Sequence, residues 1–161
     1  MVRWVIIILL IVMQAVFGVP SFLTDGGYWQ RAFCYSFFHA NWWHLTVNGL
    51  AVWTIYRNPS KPFRDLAVPF LIAVAVYPLS FRPVIGFSNI LYATLGLRTP
   101  SLKSKWWRQP AVLVFLAVTL ALVLIPRFSA TTHIAAFLLG MAGAEINRQW
   151  TRLTADARRY L

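Results

Sequence analysis

Acidic residues are scarce in this chain. Only four carboxylate side chains occur among 161 residues, whereas fifteen lysines and arginines bring the formal net charge to +11. A Ser-His-Asp triad needs a buried carboxylate that orients its histidine. The candidates are Asp25, Asp65, Glu145 and Asp156, and only Asp25, in the first predicted outer loop, stays open for such a role. A catalytic triad is therefore disfavoured.

Cysteine is rarer still, with Cys34 as the single example. No intrachain disulfide can form, and the sequence says little about redox compartment. The three histidines have no nearby carboxylate or cysteine pair, and no His-Glu-x-x-His motif occurs, so the usual zinc protease signature is missing. We expect no metal ion and no cofactor.

Charged residues of both signs together make up 12% of the chain, against 59% hydrophobic residues. Such a composition does not suit an ordinary soluble domain. Apolar runs separated by turn sequences predict an all-α polytopic membrane protein that forms one domain over residues 1–161. The first run resembles a signal peptide, but no small-x-small cleavage site followed by a soluble domain appears, so we expect a helix there. The predicted helices cover residues 2–18, 38–56, 65–81, 86–97, 110–125 and 130–147, and a cytoplasmic tail covers 148–161.

The basic residues fall unevenly on the two sides of this six-span arrangement. Twelve of the fifteen lie on the side of the N-terminus, and only Arg31, Arg82 and Arg127 lie on the other. Because short cytoplasmic loops carry the excess of lysine and arginine, both termini are predicted to be cytoplasmic. The positive charge is thus explained by topology and by attraction to anionic lipid, and we expect no nucleic-acid partner.

Polar residues within apolar spans are costly and are functional candidates by default. His39, His44 and Asn48 mark the second predicted span, Gly86 and Ser88 open the fourth, and His133 opens the sixth. These three spans run in the same direction, so their polar residues should meet at the outer end of the bundle. Small residues at four-residue steps follow His133 and favour close helix packing. They are Ala136, Gly140 and Ala144.

The residue types in this set permit acyl transfer. Ser88 can act as a nucleophile if His133 takes its proton. Tyr92, one turn after Ser88, is expected to hold the His133 ring by stacking. His44 and Asn48 can donate side-chain N–H groups to a developing oxyanion, beside the backbone N–H of Ser88. The expected machinery is a Ser-His dyad with an oxyanion hole.

The order His39-x4-His44-x3-Asn48, then Gly86-x-Ser88, then His133 before small residues, resembles the rhomboid family of intramembrane serine proteases. The resemblance covers most of the chain and implies a bacterial-type six-helix core. It implies cleavage of membrane proteins in or near their transmembrane helices, in the bacterial inner membrane, with the active site opening to the outer face. His39 and Gly86 would be supporting residues by the same analogy.

The chain departs from the family pattern at three positions: Asn89 directly after the serine, and Thr132 and Ala136 around the last histidine. Asn89 could crowd the pocket or contribute a hydrogen bond, and Ala136 could widen the separation of the two helices. A catalytically inactive rhomboid-like protein that binds membrane clients is therefore the alternative. A haem carrier ligated by His44 and His133 is a second, more distant one.

Overall fold

The computed structural model describes residues 1–56, 62–80, 84–98, 117 and 130–157. Across these residues every regular element is helical, which confirms the all-α prediction for this part of the chain. The predicted fifth span at 110–125 lies outside the described residues apart from Ala117. Within the described part of the chain, no helix has both the length and the apolar character needed to cross a membrane.

The described part of the chain contains seven α-helices, numbered in chain order. They are α1 (Val2–Phe17), α2 (Phe22–Asp25), α3 (Tyr28–Cys34), α4 (Trp42–Ile55), α5 (Pro62–Val76), α6 (Ser88–Leu97) and α7 (Ala130–Ala157). Short 3₁₀ turns at Tyr35–Phe37 and Tyr77–Leu79 follow α3 and α5.

The helix expected over 65–81 runs from Pro62 to Val76. Three other helix ends differ from the sequence-based expectation, each for a local reason. α4 begins at Trp42 rather than at residue 38, because the Asn41 side chain caps it by accepting a hydrogen bond from the His44 N–H at 2.8 Å. α6 begins at Ser88 rather than at residue 86, because Gly86 has a φ of +128° that no α-helix contains. α7 continues to Ala157 rather than stopping at 147, since no glycine or proline interrupts the polar residues that follow.

Helices α4, α6 and α7 run in the same direction. Contacts advance together along α6 and α7, from Ser88 with His133 to Leu97 with Gly143. At the far end of α4, the Tyr56 hydroxyl lies 2.7 Å from the Thr94 hydroxyl of α6. The first turns of all three helices therefore lie at one end of the bundle, which is the end that carries the polar residues named above.

Helix α5 runs the opposite way and contains a proline in its interior, Pro69. Proline has no N–H, so the carbonyl four residues earlier, that of Asp65, loses its helical partner. The Tyr56 hydroxyl donates to this carbonyl at 3.1 Å and replaces the missing bond. The carbonyl that Pro69 leaves without a helical partner in α5 thus binds Tyr56, the residue that follows α4.

Helices α6 and α7 approach each other closely where Gly96 faces Gly140. A Cβ atom on either glycine would lie 3.0 Å from the Cα of the other and would overlap a backbone carbonyl of the opposite helix. Small residues allow such close backbone approach, as the small-residue steps after His133 indicated. Ala136 and Ala144 are buried on the same face of α7. The close approach at Gly140 therefore exists although position 136 is alanine.

Large apolar side chains remain exposed along several helices. On α1, only Ile6, Leu10 and Gln14 are buried, and most of the other side chains of this helix are apolar and exposed. Leu50 on α4 and Ile146 on α7 are 64% and 68% exposed. Apolar surface of this extent is unusual on a soluble monomer and marks contact with lipid or protein.

Candidate active site

Ser88 and His133 face each other across the α6–α7 interface. The Nε2 atom of His133 lies 2.7 Å from the Oγ atom of Ser88, although the residues are 45 positions apart in sequence. His133 is 3% exposed, whereas Ser88 is only partly buried. The hydroxyl of a partly buried serine thus lies at hydrogen-bond distance from a shielded imidazole, which is the arrangement that nucleophilic catalysis requires.

His44 and Asn48 lie one turn apart on α4 and close to Gly86, two residues before this serine. The Asn48 Nδ2 atom donates to the His44 carbonyl at 3.1 Å, and a primary amide carries a second N–H. The backbone at Gly86 brings the pair next to the Ser88 segment. A Cβ on Gly86 would lie 2.9 Å from the His44 Nε2 atom and 3.6 Å from the Asn48 Nδ2 atom. Side-chain N–H groups therefore adjoin the backbone that leads into Ser88.

Gly86 is required at this place for two physical reasons. Its φ of +128° is a conformation that residues with a Cβ rarely adopt. A Cβ would in addition lie only 2.7 Å from the His44 Cε1 atom. The chain can turn sharply into α6 with its backbone close to His44 only because position 86 has no side chain.

The aromatic neighbour of His133 is Tyr92, as the one-turn spacing from Ser88 predicted, but the contact is not a stack. The two ring centroids are 4.7 Å apart and the ring planes are inclined at 75°. The ring contact expected between Tyr92 and His133 is thus present, with an edge-to-face rather than a stacked geometry. An edge-to-face contact is the arrangement that ring quadrupoles favour, and it still limits the rotation of the imidazole.

His39 is completely buried, and its ring packs against that of His44 with centroids 5.2 Å apart. Its Nδ1 and Nε2 atoms have no hydrogen-bond partner among the described residues. The contact supports the His44 ring from the side of the segment that precedes α4. His39 is therefore a buried packing neighbour of the His44 ring.

The described carboxylates that pair with cations do so away from Ser88. Asp65 lies 3.7 Å from Arg98, the residue that follows α6, and Glu145 pairs with Arg148 well along α7. In the described ranges, no three side chains of histidine, cysteine, aspartate or glutamate lie together as a metal site needs. The Nε2 atom of His133, which a haem iron would require, faces the Ser88 hydroxyl.

Two residues beside the site, Tyr35 and Asn41, were not singled out from the sequence. Asn41 caps α4 and fixes the start of the turn that carries His44. An asparagine just before a helical run is an N-cap signal and could have been noticed. Tyr35 accepts a hydrogen bond from the Gly86 N–H at its carbonyl and from the Asn89 side chain at its hydroxyl. Tyr35 lies 54 residues before Asn89, and no local pattern indicates that contact.

The departures from the family pattern at Asn89, Thr132 and Ala136 are all buried. The Asn89 amide donates a hydrogen bond to the Tyr35 hydroxyl. Ala136 packs with Val76, Tyr92 and Ala93, beside the tyrosine that contacts His133. Of the two alternatives considered for Asn89, the structure shows the hydrogen bond.

The fold and the site together define an all-helical protein with a serine and a histidine paired across two parallel helices. Residues 26–149 match the family model described as the Rhomboid domain. The chain therefore belongs to the rhomboid family, as the resemblance predicted, and that family consists of integral membrane proteins. No curated protein matches the chain.

Proposed function

We propose that this protein is an active intramembrane serine endopeptidase that hydrolyses peptide bonds in or near the transmembrane segments of other membrane proteins. The observation that carries the proposal is the 2.7 Å separation between the His133 Nε2 and Ser88 Oγ atoms. A nucleophile and a base within hydrogen-bond reach are the minimum that acyl transfer requires. Membership of the rhomboid family supports the same reaction class.

In the proposed mechanism, His133 takes the proton of the Ser88 hydroxyl as the oxygen attacks the carbonyl carbon of the scissile bond. The protonated imidazole then donates this proton to the nitrogen of the leaving peptide. Water, activated by the same histidine, hydrolyses the resulting ester and regenerates Ser88. The edge contact with Tyr92 keeps the imidazole in one orientation through these steps.

Negative charge develops on the carbonyl oxygen during the attack and needs donors placed in advance. We assign this role to the His44 ring, the Asn48 amide and the backbone N–H of Ser88. Two observations support this assignment. The side chains of His44 and Asn48 lie close to Gly86. Ser88 lies at the start of α6, where helical N–H groups have no intrahelical acceptor. His39 and Gly86 are proposed as supporting residues that hold His44 in place.

We place this site at the outer end of a six-span bundle in a bacterial inner membrane, with both termini in the cytoplasm. The charge asymmetry of the loops supports this orientation. The common direction of α4, α6 and α7 supports it as well, because alternate spans of a single bundle point the same way. The proposed partners are membrane proteins with helical transmembrane segments, held in the same lipid bilayer.

The inactive client-binding alternative was motivated by Asn89. The contact of its amide with Tyr35 removes the reason for expecting a blocked serine. Activity is therefore the better supported proposal, and a direct test of the serine separates the two.

The test is labelling of the detergent-purified protein with a fluorophosphonate, which reacts with activated serines. We expect labelling of the wild type and its loss in Ser88→Ala and in His133→Ala. Ser80→Ala, which changes a serine in the segment between α5 and α6, is the matched control and should label like the wild type. A folded wild type that stays unlabelled, and that binds a single-span peptide without cutting it, would favour the client-binding protein.

A further inference from the structure

The residues on both sides of Ser88 are hydrogen-bonded to one residue, Tyr35: Gly86 through its backbone and Asn89 through its side chain. The Gly86 N–H donates to the Tyr35 carbonyl at 3.0 Å, and the Asn89 Nδ2 atom donates to the Tyr35 hydroxyl at 2.9 Å. Tyr35 belongs to the 3₁₀ turn after α3, outside α6 and α7. The serine therefore sits between two attachment points on the same external residue.

The Tyr35 hydroxyl determines which atom is the donor in its hydrogen bond with Asn89. Its hydroxyl donates its only proton to the Ala73 carbonyl at 2.9 Å, which is one of the last four carbonyls of α5. The oxygen can then only accept from Asn89, so the amide must present its NH₂ group to Tyr35. Burial raises the pKa of Tyr35 to about 12, so the hydroxyl keeps its proton at neutral pH.

Because Asn89 directly follows Ser88 on α6, its contact with Tyr35 also affects the orientation of Ser88. Neighbouring residues on an α-helix project about 100° apart around the axis. An Asn89 side chain held toward Tyr35 therefore fixes the rotation of the first turn of α6, and with it the direction in which Ser88 projects toward His133. Asn89 is completely buried, and its Oδ1 atom has no hydrogen-bond partner among the described residues. A buried amide that makes one bond of the several it could make fits a role in orientation better than one in stability.

We propose that Tyr35 and Asn89 form a positioning pair that sets the orientation of Ser88 toward His133. This inference rests on the proposed protease function. Neither residue touches the substrate in this account. Both act by holding the backbone of residues 86–89 in place. The asparagine that departs from the family pattern can do so only together with Tyr35, which accepts its hydrogen bond.

The test compares Tyr35→Phe and Asn89→Ala with Tyr56→Phe. Tyr56 is the matched control, because it too is a buried tyrosine whose hydroxyl contacts a side chain of α6, but at Thr94, well past Ser88. The measurements are the rate of fluorophosphonate labelling, kcat and KM for cleavage of a reconstituted single-span substrate, and the midpoint of thermal unfolding. A purely structural role would affect all three variants alike.

We expect Tyr35→Phe and Asn89→Ala to lower kcat and the labelling rate by about ten- to a hundredfold, because small displacements of a reacting group have effects of this size. KM should stay close to that of the wild type. The double variant should lose no more activity than the worse single one, since both changes remove the same contact. Tyr56→Phe should lower the unfolding midpoint comparably and leave kcat unchanged.

Two results would overturn the inference in different ways. Wild-type rates in folded Tyr35→Phe and Asn89→Ala, or equal losses of kcat in these variants and in Tyr56→Phe, would reject the positioning pair and leave the protease intact. A folded wild type without labelling or cleavage would reject the protease and, with it, the pair. If Tyr35→Phe does not fold, Asn89→Ala decides alone, because it leaves the Tyr35–Ala73 hydrogen bond in place.

Discussion

Single residues around Ser88 divide into those proposed to take part in the chemistry and those that place them. Ser88, His133, His44 and Asn48 belong to the first group. Gly86, Asn41 and His39 belong to the second, through a turn, a helix cap and a ring contact. Substitutions in the two groups should differ in what they change, because a donor acts mainly on the transition state whereas a turn residue also affects folding.

The oxyanion assignment predicts the effect of removing one donor. His44→Ala and Asn48→Ala should each lower kcat by about 10²- to 10³-fold, or roughly 2.7–4 kcal/mol of transition-state stabilisation. Thr46→Ala is the matched control, because Thr46 lies between them on α4 and its exposed hydroxyl donates to the Trp42 carbonyl of the same helix. Steady-state cleavage of a reconstituted single-span substrate is the measurement. Unchanged kcat in both variants would contradict the assignment.

Substitution of Gly86 should affect both reactivity and stability, unlike removal of an oxyanion donor. Gly86→Ala should abolish fluorophosphonate labelling and lower the unfolding midpoint, because the new Cβ would collide with the His44 ring in a backbone conformation that already disfavours it. Gly49→Ala is the control, since a Cβ there meets nothing within 4 Å and should stabilise α4 by about 0.5–1 kcal/mol. A Gly86→Ala protein as stable and reactive as the wild type would show that the site does not need this turn.

Among the helices, the pairing of α6 with α7 has the most direct bearing on the site, because Ser88 lies on one and His133 on the other. Their separation is set where Gly96 faces Gly140, about two turns below the proposed dyad. Any change that pushes these helices apart should increase the distance from His133 to Ser88. The link between α4 and α5 through Tyr56 and Pro69 lies at the opposite end and should matter less for activity.

This helix packing predicts that alanine is destabilising at one glycine of α7, Gly140, and is accommodated at another, Gly143. In Gly140→Ala the Cβ would meet the backbone of α6 at Ala93 and Leu97, so we expect a loss of about 1–3 kcal/mol in the free energy of unfolding and weaker Ser88 labelling. In Gly143→Ala the Cβ would lie 3.3 Å from the end of the Leu97 side chain, which can move aside. Chemical denaturation compares the two, and equal stabilities would refute the close-approach argument.

For the whole molecule, the orientation in the membrane follows from the distribution of basic residues and stays a prediction. In a Cys34→Ala background, a cysteine at the exposed position 25 should react with a membrane-impermeant maleimide added to intact spheroplasts. A cysteine at the exposed position 149 should react only after permeabilisation. The reverse pattern would place the termini outside and move the proposed site to the cytoplasmic face.

Much of the fold could be predicted from the sequence because hydropathy and turn chemistry are local properties. The helical class is confirmed for the described residues, and the family is confirmed by the match over residues 26–149. The helix ends were less accurate. The start of α4 depends on the Asn41 cap, and the length of α7 depends on polar residues that remain helical beyond the apolar stretch.

The sequence by itself indicated which polar residues matter, since a histidine or asparagine within an apolar span is costly to keep. The catalytic roles given to Ser88 and His133 stay predictions. Only the tertiary structure decided that Tyr92 meets His133 edge-on, that Gly96 lies against Gly140, and that the Asn89 amide binds the Tyr35 hydroxyl. These contacts join residues 41 to 54 positions apart, and the direction of a side chain across such distances depends on how whole helices pack, which no local pattern encodes.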